Sequence, residues 1–148
     1  MQQTLFRLFV LFLTAFWALQ VRAADAPTAP AAGKGPMKVL LEVDNSNQES
    51  WHTAIATTNQ IMHVVGMDNA RVEIVAWGPG IKFLLKTSPY AADIQSLSSY
   101  GVEFAACGNT MKALHLTKAD LASGVTVVPG AIGEIVKRDH EGWTQIHM

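Results

Sequence analysis

This sequence predicts an α/β fold, a three-layer α/β/α sandwich around a mainly parallel five-stranded sheet. Three observations carry that reading. Short apolar, β-branched runs recur between residues 37 and 147, stretches with helical spacing of apolar residues follow them, and Gly- or Pro-bearing turns separate the two kinds. Strands alternating with helices imply βαβ units and parallel pairing. The runs are continuously apolar rather than alternating, as expected of strands that helices cover on both faces.

Taken in order, residues 38–43 (KVLLEV) form the first strand. Ser46 with Glu49 three residues on is a capping box that opens a helix. Trp51, Ala54, Ile55, Thr58, Ile61 or Met62, and Val65 then recur at helical spacing, and Gly66 supplies the stop. Residues 71–77 are the second strand, followed by the turn Gly78-Pro79-Gly80. Short helices are expected over 81–86 and 91–100. Residues 102–106 make the third strand, which runs into Cys107 and a helix ending near His115. A helical turn at 118–121 precedes the fourth strand, 125–128. Pro129 suits the first turn of a helix over 131–138, and residues 143–147 close the sheet.

The N-terminus reads differently. Arg7 is followed by an uncharged apolar run over 8–19, then by Val21-Arg22-Ala23 and a second alanine. A basic start, a short apolar run and small residues at the exit describe a secretory signal peptide cut near Ala23. The run is shorter than the ~20 residues a spanning helix needs, so stable membrane insertion after cleavage is not expected. Residues 24–36 form an Ala/Pro/Gly-rich leader, and the folded domain is expected over 37–148. The expected location is periplasmic or secreted.

The full chain holds 11 basic and 12 acidic residues. Losing Arg7 and Arg22 with the signal peptide leaves it near −3, without a basic stripe, which argues against a nucleic-acid partner. One cysteine among 148 residues excludes an internal disulfide.

In a parallel sheet all βα loops share the carboxyl edge, where such sheets bind ligands. Four stretches should gather there: Asp44-Asn45-Ser46, Trp77-Gly78-Pro79-Gly80, Cys107-Gly108-Asn109-Thr110 and Pro129-Gly130-Ala131. Cys107 is the candidate reactive group, because a thiol at a helix N-terminus is biased toward thiolate. Gly108 would let backbone amides or a substrate approach closely. Asp44, Asn45, Gly108 and Asn109 are the candidate binding residues. The competing reading makes Cys107, after Ala105 and Ala106, a small buried hydrophobe, and makes Asp44 and Asn45 turn residues.

His115 cannot serve Cys107 if both lie on one helix, since eight residues span ~12 Å. His52 and His63 are three turns apart, and no metal or other cofactor is expected. The one conceivable metal arrangement joins Cys107 to a histidine of a neighbouring subunit. Neither a phosphate-loop signature nor a nucleophile elbow occurs.

Residues 37–43, 72–80, 100–111 and 124–136 together resemble the DsrE/DsrF-like family, including its YchN-like members. The pieces Gly-Val-x-Phe-x-x-Cys, ending at Cys107, and Val-x-Pro-x-Ala-x-x-Glu, ending at Glu134, carry the match at this separation. The resemblance implies a five-stranded α/β/α sandwich assembled as a homo-oligomer such as a trimer or hexamer. It also implies a sulfur-relay role in which a cysteine after the third strand accepts a persulfide sulfur and passes it to a partner thiol protein; Cys107 matches that position. The signal peptide departs from the cytoplasmic relay members, so cytoplasmic tRNA thiolation is not carried over. The alternative is an oligomeric small-ligand-binding or assembly module with no cysteine chemistry.

Overall fold

The computed structural model describes residues 35–148. The expected signal peptide, and all of the leader but its last two residues, lie outside them. The strands are β1 (Met37–Val43), β2 (Ala70–Ala76), β3 (Glu103–Cys107), β4 (Val125–Val128) and β5 (Thr144–His147). They form one sheet in the order β4-β3-β2-β1-β5, and all four pairings are parallel. The helices are α1 (Gln48–Val65), α2 (Ala91–Ser99), α3 (Gly108–Ala113) and α4 (Ala131–His140).

The two faces are unequal. Val39, Leu41, Val43, Val72, Ile74 and Phe104 point to one face, where Trp51, Ala54 and Ile55 of α1, Ile94 and Leu97 of α2 and Met111 of α3 complete the larger core. The expected helix at 81–86 is instead a 3₁₀ run, Gly78–Leu84, which absorbs the Gly-Pro-Gly turn. It buries Phe83 completely, against Trp51, Tyr90 and Phe104 at centroid distances of 5.9, 5.8 and 6.5 Å. That burial is worth about 1.5–3 kcal/mol. The 3₁₀ start lies against β1: a Cβ on Gly80 would stand 2.2 Å from the Val43 carbonyl oxygen, so only glycine fits. The second face carries Leu40, Val75, Ala105 and Cys107 beneath α4 alone, joined by Trp143.

Several boundaries depart from the sequence reading. The cap of α1 is Asn47, not Ser46: its side chain accepts from the Glu49 N–H at 3.0 Å, while its own N–H donates to Asn45 Oδ1. Asparagine caps as well as serine does, and the Asn45 bond favours the later start. α3 ends at Ala113, so His115, with φ of 55°, lies beyond it. Pro129 precedes α4 rather than entering it, with Gly130 at the cap. Trp143 stays outside β5 because its N–H turns back to the Arg138 carbonyl at 3.0 Å.

α4 is fixed to the sheet by charge. Arg138 reaches Glu73 of β2 (Nε to Oε2 2.5 Å), Glu134 (3.0 Å), Glu103 of β3 (2.6 Å) and Glu141 (3.3 Å), and its guanidinium sits 4.5 Å over the Trp143 ring. The Nε–Oε2 contact is a charge contact rather than an aligned hydrogen bond. Glu73 is 1% exposed. Burial raises its pKa to about 7, with the Arg138 charge opposing and Glu134 and Glu103 adding to the rise.

The folded state therefore holds a proton on Glu73 between pH 4.5, its ordinary value, and about 7 that the unfolded chain has released. Stability from this group falls as pH rises through that window. Glu73→Gln, which cannot titrate, should lose less melting temperature between pH 5 and pH 8 than the parent. Equal losses in the two proteins would refute the assignment.

Candidate functional site

β3 ends on Cys107, which is also the cap residue of α3. Its neighbour β4 ends at Val128, paired with Cys107, and the chain then passes Pro129 and Gly130 into α4. Two helix starts thus converge on one thiol. The Ala131 N–H, at the first position of α4, donates to Sγ at 3.3 Å. Gly108 is what allows the approach. A Cβ there would lie 2.9 Å from the Val128 carbonyl oxygen and 3.3 Å from that of Pro129.

Cys107 is 5% exposed and packs with Val75, Ala105, Ala131 and Trp143. Burial alone pushes the thiol pKa up. The Ala131 N–H bond and the polar groups of Thr110 and Asn109 at the start of α3 outweigh it, so the net shift is downward. These donors bias the site toward thiolate. A shallow groove opens beside it, lined by Asn109, Lys112, Pro129, Gly130, Glu134 and Lys137.

The candidate residues from sequence divide into two groups. Gly108 and Asn109 stand with Cys107, and Gly130 packs close to the Asn109 side chain, which a Cβ on Gly130 would meet at 3.0 Å. Asp44 and Asn45 share the carboxyl edge but follow β1, two strands away, about 10 Å at the usual strand spacing. Asp44 lies 3.2 Å from His147, and the Asn45 amide donates to the Met148 carbonyl at 2.8 Å. The strand order, with β2 between β1 and β3, keeps these two from the thiol. Sequence reasoning places Thr110 and Ala131 at this edge but assigns neither a role. The Cys-x-x-Thr spacing places Thr110 at the third position of α3, on the turn that faces its cap, and was a readable signal for the first. Ala131 acts through its backbone and leaves no such trace.

A parallel α/β sandwich with a lone, thiolate-favouring cysteine at the carboxyl edge of its third strand defines a class of cysteine-bearing sheet-edge proteins. Residues 38–148 match the DsrE/DsrF-like family, and the chain belongs to that family, which is of sulfur-relay type. Among solved structures it is similar to MTH1491 from Methanobacterium thermoautotrophicum, described as a protein of unknown function. The two share 32% identity and a TM-score of 0.72 over 76% of this chain and 99% of that one. The ychN protein from E. coli shares the fold at 14% identity and a TM-score of 0.59, over 76% and 99% of the two chains. BT1422 from Bacteroides thetaiotaomicron does so at 14% and 0.57, over 75% and 94%. No curated protein matches the chain.

Proposed function

We propose that the mature domain is an exported sulfur carrier in which Cys107 holds a sulfane sulfur as a persulfide. The observation that carries this reading is the downward-shifted thiol at the meeting point of α3 and α4, in a family of sulfur-relay type. The Cys107 thiolate attacks the outer sulfur of a donor persulfide, R–S–SH. The Sγ–S bond forms, the donor S–S bond breaks, and R–S⁻ leaves with the electron pair. A partner thiolate then attacks the outer sulfur on Cys107, and Sγ leaves as thiolate. Both steps are redox-neutral. The protein is a carrier rather than a turnover enzyme. It works as a homo-oligomer, the assembly the family resemblance implies, with the partner thiol protein approaching over the groove beside Asn109.

The near-complete burial of Cys107 favours a second reading, a binding or assembly module in which the cysteine is filler. Alkylation of the native mature protein across pH, read by mass spectrometry, separates the two. The carrier should label with a midpoint below the ~8.5 of an ordinary thiol. Labelling only after denaturation would sink the carrier reading.

A further inference from the structure

A carrier's sulfur must be reached by donor and acceptor, yet Cys107 is 5% exposed. The element that covers it is lightly packed. Among the described residues α4 is the helix on this face of the sheet, and its first residue, Ala131, donates its N–H to Sγ. Within α4 only Ala131 is buried, with Ile135 partly so. On the other face α1 buries Trp51, Ala54, Ile55 and Thr58. Removal of apolar surface from water is the main force that holds a helix down, so packing holds α4 far less firmly than α1. Ile132 and Val136 point outward and add nothing to that hold.

Charge supplies the rest. Arg138 meets Glu73 of β2 and Glu103 of β3, and these two contacts tie the helix to the sheet. Its other partners, Glu134 and Glu141, travel with the helix and its end. The tie to Glu73 is imperfect: Glu73 Oε2 and Arg138 Nε are both buried, and neither has an aligned hydrogen-bond partner. A buried ion pair left partly unsatisfied returns little of the cost of its burial. Glycines bracket the helix, Gly130 at its cap and Gly142 just past its end. Gly142 has φ of 78° and open space around it, as a pivot requires.

We propose that α4 is a lid over Cys107, latched to the sheet by the contacts of Arg138 with Glu73 and Glu103, and that its lifting opens the thiol to sulfur donor and acceptor. This rests on the carrier reading and names how a buried thiol serves it. Closed, the lid hides the sulfur from competing thiols. Open, it releases the Ala131 bond and bares Sγ.

The latch titrates. Lifting α4 returns Glu73 to water, and its pKa from about 7 to the ordinary 4.5. The open state then binds fewer protons, so opening becomes more favourable as pH rises through that window. The charged groups facing Glu73 are Arg138 and Glu134 from α4 and Glu103 from β3. Lys38 of β1 and Arg71 of β2 share the face toward its amino end.

Native-state hydrogen exchange of the mature protein reads the lid directly. Amides of residues 131–140 should exchange through an opening that low urea does not accelerate, while those of β1 to β3 await global unfolding. Protection of 131–140, corrected for intrinsic exchange rates, should fall about tenfold or more from pH 5 to pH 7. The second readout is the alkylation rate of Cys107 in the parent divided by that in Glu73→Gln at each pH, a ratio from which thiolate content cancels. It should rise by the same factor. If Glu73→Gln does not fold, exchange on the parent decides alone.

Residues 131–140 protected as strongly as the sheet, in a protein whose thiol still labels in its native state, would overturn the lid and leave the carrier intact. Local opening of α4 that ignores both pH and Glu73→Gln would overturn the latch. Labelling that only tracks global unfolding would overturn lid and carrier together.

Discussion

Arg138→Met is expected to destabilise the domain by about 3–5 kcal/mol at pH 8, the cost of leaving a buried carboxylate without its partner. Glu73 and Glu134 are both nearly buried, and Arg138 is the cation common to them. Glu103 and Glu141 are half-exposed and add little. The loss should be smaller at pH 6, where Glu73, with its pKa near 7, already carries a proton. Urea denaturation with an unchanged m-value would measure it. The double variant Glu73→Met, Arg138→Met should recover most of the stability, because it removes the orphaned charge along with its partner. If single and double variants unfold alike, the cluster is not what fixes α4.

Cys107→Ser should abolish sulfur loading completely and cost the fold about 1 kcal/mol, since the hydroxyl inherits the Ala131 N–H bond. The chain has no other thiol, so nothing else can form the persulfide. Incubation of the native protein with inorganic polysulfide, followed by intact-mass measurement, should show one added sulfur on the parent and none on the variant. A serine variant that still gains the sulfur mass would show that sulfur is held elsewhere, without a thiol.

The strands were readable because their apolar runs are dense and the turns between them carry glycine or proline. Boundaries were less so where chemistry is degenerate. Asn45, Ser46 and Asn47 all have capping side chains, and only the Asn45–Asn47 bond decides among them. Cys107 could be placed at the carboxyl edge from alternation alone, whereas its burial could not. That depends on α4 lying over the second face, which local pattern does not encode. Asp44 and Asn45 were grouped with Cys107 because the sequence does not specify strand order. The Glu73–Arg138 pair joins residues 65 positions apart, yet it left one sign: Glu73 sits between apolar neighbours in the buried stretch Val72–Ala76, which obliges it to find a partner.

The sheet order has a kinetic consequence. β1 lies between β2, whose partner residues begin 33 positions on at Ala70, and β5, which meets Val39 only at Thr144, more than a hundred residues along. The β1–β2 pairing can form early from a modest chain closure. The β1–β5 pairing demands a far longer one and so comes late. Until β5 arrives, β1 presents an open edge with Val39, Leu41 and Val43 on one face and Leu40 on the other, the kind of edge that pairs with other chains. The slowest and most aggregation-exposed moment in the life of this protein should therefore be the wait for residues 144–147 to cover it.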